Sequence, residues 1–101
     1  MTVRPEADGV CVVVCSGEFD LDTIGRLEAA CEREAGGATR LVLDVSGVEF
    51  ADSSFLNLLI HLRNTRPLLL EGPLPHQLVR LLEMTGALAL FEVRDNSRRT
   101  A

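Results

Sequence analysis

Apolar residues fall into runs of two kinds along this chain, and the two kinds alternate. Residues 10–15 are continuously apolar and rich in valine, the signature of a strand buried on both faces. Gly17, Glu18 and Asp20 end that run. Asp20 stands where a carboxylate caps a following helix, and Asp22 adds charge suited to the positive end of its dipole. Leu21, Ile24, Leu27 and Cys31 then recur at helical spacing, with Arg26, Glu28, Glu32 and Arg33 around the rest of the wheel, until Gly36-Gly37 stops the helix. Residues 41–45 predict a second strand, and 46–50 read as a connection. From 55 to 62 nearly every position is apolar, while Ser54, Asn57, His61 and Asn64 mark one polar line at helical spacing. That predicts a helix buried around most of its circumference. Residues 67–71, closed by Gly72-Pro73, predict a third buried strand. Pro75 suits the first turn of a last helix, with Leu78, Leu81, Leu82 and Thr85 facing inward and Gly86 at its end. Residues 90–93 predict an edge strand.

Strands alternating with helices imply an α/β fold: a mixed β-sheet with parallel pairs and helices packed on it. The chain reads as a single domain over 1–101, with its core at 10–93 and a polar C-terminal tail at 95–101. A chain of 101 residues buries roughly 60–70% of its extended surface, so the core needs no disulfide or metal.

Charge narrows the chemistry. The formal net charge is −5, and every basic residue is arginine. Without lysine, Schiff-base chemistry and a Walker-type phosphate loop are excluded. The acidic balance argues against nucleic-acid and anionic-membrane partners. Residues 1–52 carry 11 acids and 4 arginines, a net of −7, whereas residues 53–101 carry 4 acids and 6 arginines, a net of +2. The acidic half reads either as a solvated surface or as a face for a basic partner. Met1 to Gly9 shows no export signal, and no apolar segment approaches the ~20 residues of a membrane span. Cys11, Cys15 and Cys31 therefore read as reduced thiols of a cytoplasmic protein. Cys11 and Cys15 share a strand face about 13 Å apart, too far for a disulfide and poor for a shared metal. Core packing is the expected role of the thiols. No cofactor or metal site is expected.

Asp52-Ser53-Ser54, at the start of the apolar helix, is the sharpest local feature. One reading is a helix cap, with side-chain oxygens satisfying free N–H groups. The other uses the same physics: free N–H groups and the dipole stabilise an anion, so a phosphate on Ser53 fits there. It would add about −1.5 to −2 charge beside Asp52. A hydrolase built on Ser53, His61, His76 and Asp44 is a weaker reading, because no nucleophile elbow is present and His61 lies about 12 Å along the helix. His61 reads as an exposed helix residue and His76 as a first-turn residue. A receiver-like domain, with Asp44 as phosphoacceptor and Glu18 and Asp20 as its acidic pair, lacks the lysine that family uses.

Gly17-Glu18-Phe19-Asp20, the run from Leu41 through Asp44 to Asp52-Ser53-Ser54, Glu71-Gly72-Pro73 and Leu82-Glu83-Met84-Thr85-Gly86 together resemble the STAS domains of bacterial anti-sigma factor antagonists. The resemblance implies a binding switch in transcription regulation, not an enzyme. An anti-sigma factor serine kinase binds the unphosphorylated domain and so releases its sigma factor. The kinase then phosphorylates the serine after the aspartate, here Ser53 with Ser54 as runner-up, and affinity is lost. A serine phosphatase resets the protein. Asp20, Asp52, Ser53, Ser54, Phe55 and Asn57 map to the partner-binding corner. Glu18, Asp20, Asp44 and Asp52 are expected to converge there. Two departures stand out: Phe55-Leu56-Asn57 replaces the family's usual Gly-Leu-Gly, and the stretch from His61 to Pro67 is short. Phe55 either fills the core or projects into the contact surface. The alternative is a phosphorylation-independent STAS interaction module, such as a lipid-transporter subunit or a signalling scaffold.

Overall fold

The computed structural model describes residues 2–5, 7–35 and 37–95. Its strands are β1 (Thr2–Pro5), β2 (Val10–Phe19), β3 (Arg40–Ala51), β4 (Leu68–Gly72) and β5 (Glu92–Asp95). Its helices are α1 (Ile24–Ala35), α2 (Ser53–Thr65) and α3 (His76–Met84). The strands lie in the sheet in chain order. β1 is antiparallel to β2, and the three remaining pairs are parallel. The mixed α/β architecture expected from the alternation is therefore present. One α-helix bridges each parallel step, joined before β5 by a short 3-10 turn at Leu88–Leu90. Because such crossovers are right-handed and the strands advance in one direction, the helices fall on one face of the sheet.

The core lies between that face and the helices. Cys11, Val13 and Cys15 of β2 and Leu41, Leu43 and Val45 of β3 pack with Leu27 and Cys31 of α1, Phe55 and Leu59 of α2, and Leu78 and Leu82 of α3. On the opposite face Val12, Val42 and Leu69 form a separate row, joined by Val10 and Val14 and by no helix residue. Register aligns the three across β2, β3 and β4. Arg4 pairs with Val12 at one end of the row and Glu92 with Leu69 at the other, and Arg40 meets Glu92 at 3.8 Å. Long charged side chains thus flank a short apolar row, which accounts for strands that are apolar on both faces without a second helix layer.

Several details differ from the sequence pattern. β1 has no counterpart in it: Thr2–Pro5 holds one valine, and backbone pairing with β2, rather than a hydrophobic period, makes it a strand. Residues 46–50 are not a connection but the second half of β3, because β2 extends to Phe19 and pairs with them across two register shifts, one between Val14 and Ser16 and one between Gly17 and Glu18. Gly17 sits at φ 88°, where a side chain would be strained. Thr85 does not face inward. It is exposed at the end of α3, where its hydroxyl donates to the Leu81 carbonyl at 2.8 Å. Gly86 does end that helix, at φ 73°, with Ala87 N–H donating to Leu82 O and Gly86 N–H to Glu83 O, the pattern of a Schellman cap. Asp95 belongs to β5, and the rest of the expected polar tail lies outside the described residues.

Candidate functional site

β2 and β3 finish side by side. Their register sets Phe19 opposite Ala51, so Asp20 and Asp52 leave neighbouring strand ends together. The Asp52 N–H donates to the Phe19 carbonyl at 3.3 Å. Asp52 then caps α2: its carboxylate accepts the Ser54 N–H at 2.8 Å, and its carbonyl accepts from Phe55 and Leu56. Capping is thus done by the aspartate. Ser53, the first residue of α2, is exposed, and its hydroxyl makes no hydrogen bond to the described residues. Ser54 is half-buried. Of the two hydroxyls, Ser53 is the more accessible and lies at the positive end of a 13-residue helix.

Asp20 holds a turn. Its carboxylate accepts from the N–H groups of Asp22 and Thr23 at 3.0 and 3.1 Å and from the Thr23 hydroxyl at 3.1 Å, while that hydroxyl accepts the Asp20 N–H at 2.9 Å. The turn consumes residues 21–23, so α1 starts at Ile24. Leu21 consequently leaves the inward stripe expected from spacing alone and stands 77% exposed. It rims a groove of about 400 Å³ between the start of α1 and α2, lined also by Ile24, Glu28, Ser54, Asn57, Leu58 and His61. Asn57 and His61 are exposed on that groove, as the polar line on the helix predicts.

Phe55 takes the core position. It is fully buried, and its ring lies 5.4 Å from that of Phe19 at a 37° tilt. It supports the corner from beneath and offers no surface to a partner. Asp44 is also displaced from its expected place. It lies in mid-strand, paired with Val14 and Glu71, and accepts from the Ser46 N–H at 3.0 Å and the Ser46 hydroxyl at 2.7 Å. It is eight positions before Asp52, roughly 25 Å along the strand. Glu18, Asp20 and Asp52 share the corner; Asp44 does not. The hydrolase arrangement is likewise not assembled, since Ser53 and His61 are two turns apart on α2.

Gln77 is the residue the sequence pattern missed. β4 pairs with β3 only as far as Asp44 opposite Glu71, leaving the last part of β3 without a strand on that side. The Ala51 N–H donates to the Gln77 side-chain carbonyl at 2.8 Å, and the Gln77 amide donates to the Ala51 carbonyl at 2.7 Å. One side chain completes the ladder at the peptide just before Asp52. The only hint in the sequence is a polar residue beside Leu78 in the first turn of an amphipathic helix.

Burial dominates the thiols. It pushes Cys15 up to about 12 and Cys31 up to about 11. All three cysteines are buried and none is in a disulfide, as packing predicts. Among the described residues no group of three His, Cys, Asp or Glu side chains is placed to hold a metal, and no helix is long and apolar enough to cross a membrane.

These features define a class: a small α/β domain whose helices start at the carboxyl ends of its parallel strands, with an uncommitted serine at the first residue of one of them. A family model described as "Mlab, STAS domain" matches residues 3–92. The chain belongs to the STAS domain family. It is similar to an anti-sigma factor antagonist from Mycobacterium paratuberculosis, with a TM-score of 0.80 and 30% identity over 91% of this chain and 81% of that one. The anti-sigma factor antagonist SpoIIAA in its unphosphorylated form matches with a TM-score of 0.75 and 17% identity, over 97% of this chain and 89% of that one. The Bacillus cell fate determinant SpoIIAA in the phosphorylated form gives 0.68 and 15%, over 97% and 92%. The two SpoIIAA likenesses show the fold. None of the curated proteins matches this chain.

Proposed function

We infer that this domain is an anti-sigma factor antagonist: it binds an anti-sigma factor serine kinase, frees the sigma factor that kinase holds, and is switched off when Ser53 is phosphorylated. The observation that carries the reading is Ser53 itself, exposed, free of hydrogen bonds to the described residues, and set at the N-terminus of α2 beside the capping carboxylate of Asp52. A phosphate there meets the dipole end of the helix, so it need not unfold the domain. It also adds about −1.5 to −2 charge to a corner that already carries Glu18, Asp20 and Asp52. A partner covering Ser53, Ser54, Asn57 and the exposed Leu21 would have to bury that charge. Going from mostly bound to mostly free takes about 5.5 kcal/mol, and leaving a charge buried and unpaired at an interface costs about 2–5 kcal/mol. A phosphate carries nearly two charges, so its cost among carboxylates reaches about that figure. The likeness to a mycobacterial antagonist at 30% identity supports the role. A serine phosphatase completes the cycle. With this role the protein works in the cytoplasm, where sigma factors are.

The test is incubation with the anti-sigma factor kinases of the source bacterium and ATP, followed by mass spectrometry. One phosphate on Ser53, with loss of kinase binding, is the expected result. Kinase binding without any modification of Ser53 favours the second reading, a phosphorylation-independent interaction module such as a lipid-transporter subunit or signalling scaffold. That reading draws on the description of the matching family model and on Phe55, a core residue where the antagonist pattern has glycine.

A further inference from the structure

We propose that Gln77 is a positioning residue for the phosphoacceptor corner, holding the peptide of Ala51 so that Asp52 and Ser53 are presented in the capping geometry. The role rests on the reading of Ser53 as acceptor, and its structural half stands without it. In a parallel ladder a residue turns its N–H and C=O to the same neighbour, and adjacent residues turn theirs to opposite sides. The Asp52 N–H points to β2, where it meets Phe19 O. Ala51 therefore points the other way, toward β4, and β4 does not reach it. Ala51 is fully buried, so water is not available to satisfy its backbone.

Gln77 supplies what a strand would: one acceptor for the Ala51 N–H and one donor for the Ala51 carbonyl, at 2.8 and 2.7 Å. The clasp joins the second residue of α3 to the last residue of β3, directly ahead of the cap. On the other flank the same strand end is tied to β2 by the Asp52 N–H. The corner is thus fixed from both sides, and the Gln77 side is the one made by a single replaceable side chain. At neutral pH no other standard side chain of that length offers both a donor and an acceptor in one plane.

Hydrogen exchange measured by NMR on the full chain tests this, comparing wild type with Gln77→Met, which keeps the length and removes both bonds. The expected result is at least tenfold faster exchange at Ala51, Asp52 and Ser54, whose amides report the clasp and the cap, with Val42 and Leu69 in the sheet centre changed much less. Equal acceleration at all five positions would mean that Gln77 only adds global stability, and would overturn the positioning role. Should Gln77→Met fail to fold, Gln77→Glu serves instead. Its ionised carboxylate accepts but cannot donate, and its protonated form does both. Protection of Ala51 and Asp52, relative to Val42 and Leu69, is then expected to recover as that carboxyl is protonated, and a ratio unchanged by protonation overturns the proposal. Mass spectrometry of wild-type Ser53 scores the underlying switch separately. Its failure leaves the exchange pattern intact, and failure of the exchange pattern leaves the switch intact.

Discussion

The rings of Phe19 and Phe55 meet 5.4 Å apart beneath the Asp52–Ser53 corner, tying the end of β2 to the first turn of α2. Phe55 replaces a small residue of the family pattern, and the structure buries it completely. Truncating a buried phenylalanine costs about 3–5 kcal/mol, against a total of about 5–15 kcal/mol for a domain. Phe55→Ala is therefore expected to lose much of its urea resistance, whereas Phe55→Leu loses about 1–1.5 kcal/mol. A Phe55→Ala loss below 1 kcal/mol would contradict the packing described.

Asp52 both caps and carries charge, and two substitutions separate the roles. Asn caps about as well as Asp, while Ala costs about 1 kcal/mol. Asp52→Asn is thus expected to melt near wild type and Asp52→Ala several degrees lower. If the carboxylate also meets the kinase, both weaken binding alike in a pull-down titration. Binding that follows melting temperature instead would leave Asp52 with a capping role alone.

Ser53 is exposed and makes no hydrogen bond to the described residues, so Ser53→Ala is expected to change stability by less than about 0.5 kcal/mol. It should still bind the kinase. Ser53→Asp should bind at least tenfold more weakly, about 1.4 kcal/mol, as read by calorimetry. Equal affinities of the two variants would place the interface elsewhere.

Leu21 rims the groove with most of its surface in water. Leu21→Asp is expected to fold normally by circular dichroism and to weaken kinase binding by about 1–2 kcal/mol, as a rim-to-centre apolar contact does. Unchanged affinity would remove this groove from the docking surface.

Cys15 and Cys31 hold their protons in the folded state up to about 12 and about 11, above the ordinary value of 9.0. Between these values the unfolded chain releases thiol protons that the folded one keeps, so rising pH favours unfolding. Full stability is expected below pH about 9, with a decline of up to about 1.4 kcal/mol per pH unit for each thiol above it. Alkaline denaturation of Cys31→Ala, compared with wild type, should show a shallower slope. Near neutral pH the buried thiols should resist a disulfide reagent until denaturant is added.

Much of the fold is legible in the sequence because burial is local in its signature. The runs at 10–15, 41–45 and 67–71 fall within β2, β3 and at β4. The polar line of Ser54, Asn57, His61 and Asn64 marks the less buried side of α2. Asp52-Ser53 is legible too, since a cap is written in adjacent residues. β1 and the second half of β3 are not, because they exist through pairing with β2: β1 holds one valine, and the buried positions after Val45, namely Val48 and Ala51, do not alternate.

Local side-chain patterning sets the alternation of strands and helices, the burial of the thiols, and a serine beside a capping aspartate at a helix start. Each of these follows from side-chain chemistry within a few residues. Long-range strand pairing is what brings Asp20 and Asp52 to adjacent strand ends and keeps Asp44 in mid-sheet. Register is set by contacts between distant segments, and one turn at Asp20 was enough to move Leu21 from the core stripe to the surface. The same holds for Gln77. Its role arises where β4 stops short of the end of β3, a mismatch in strand length that no local pattern records.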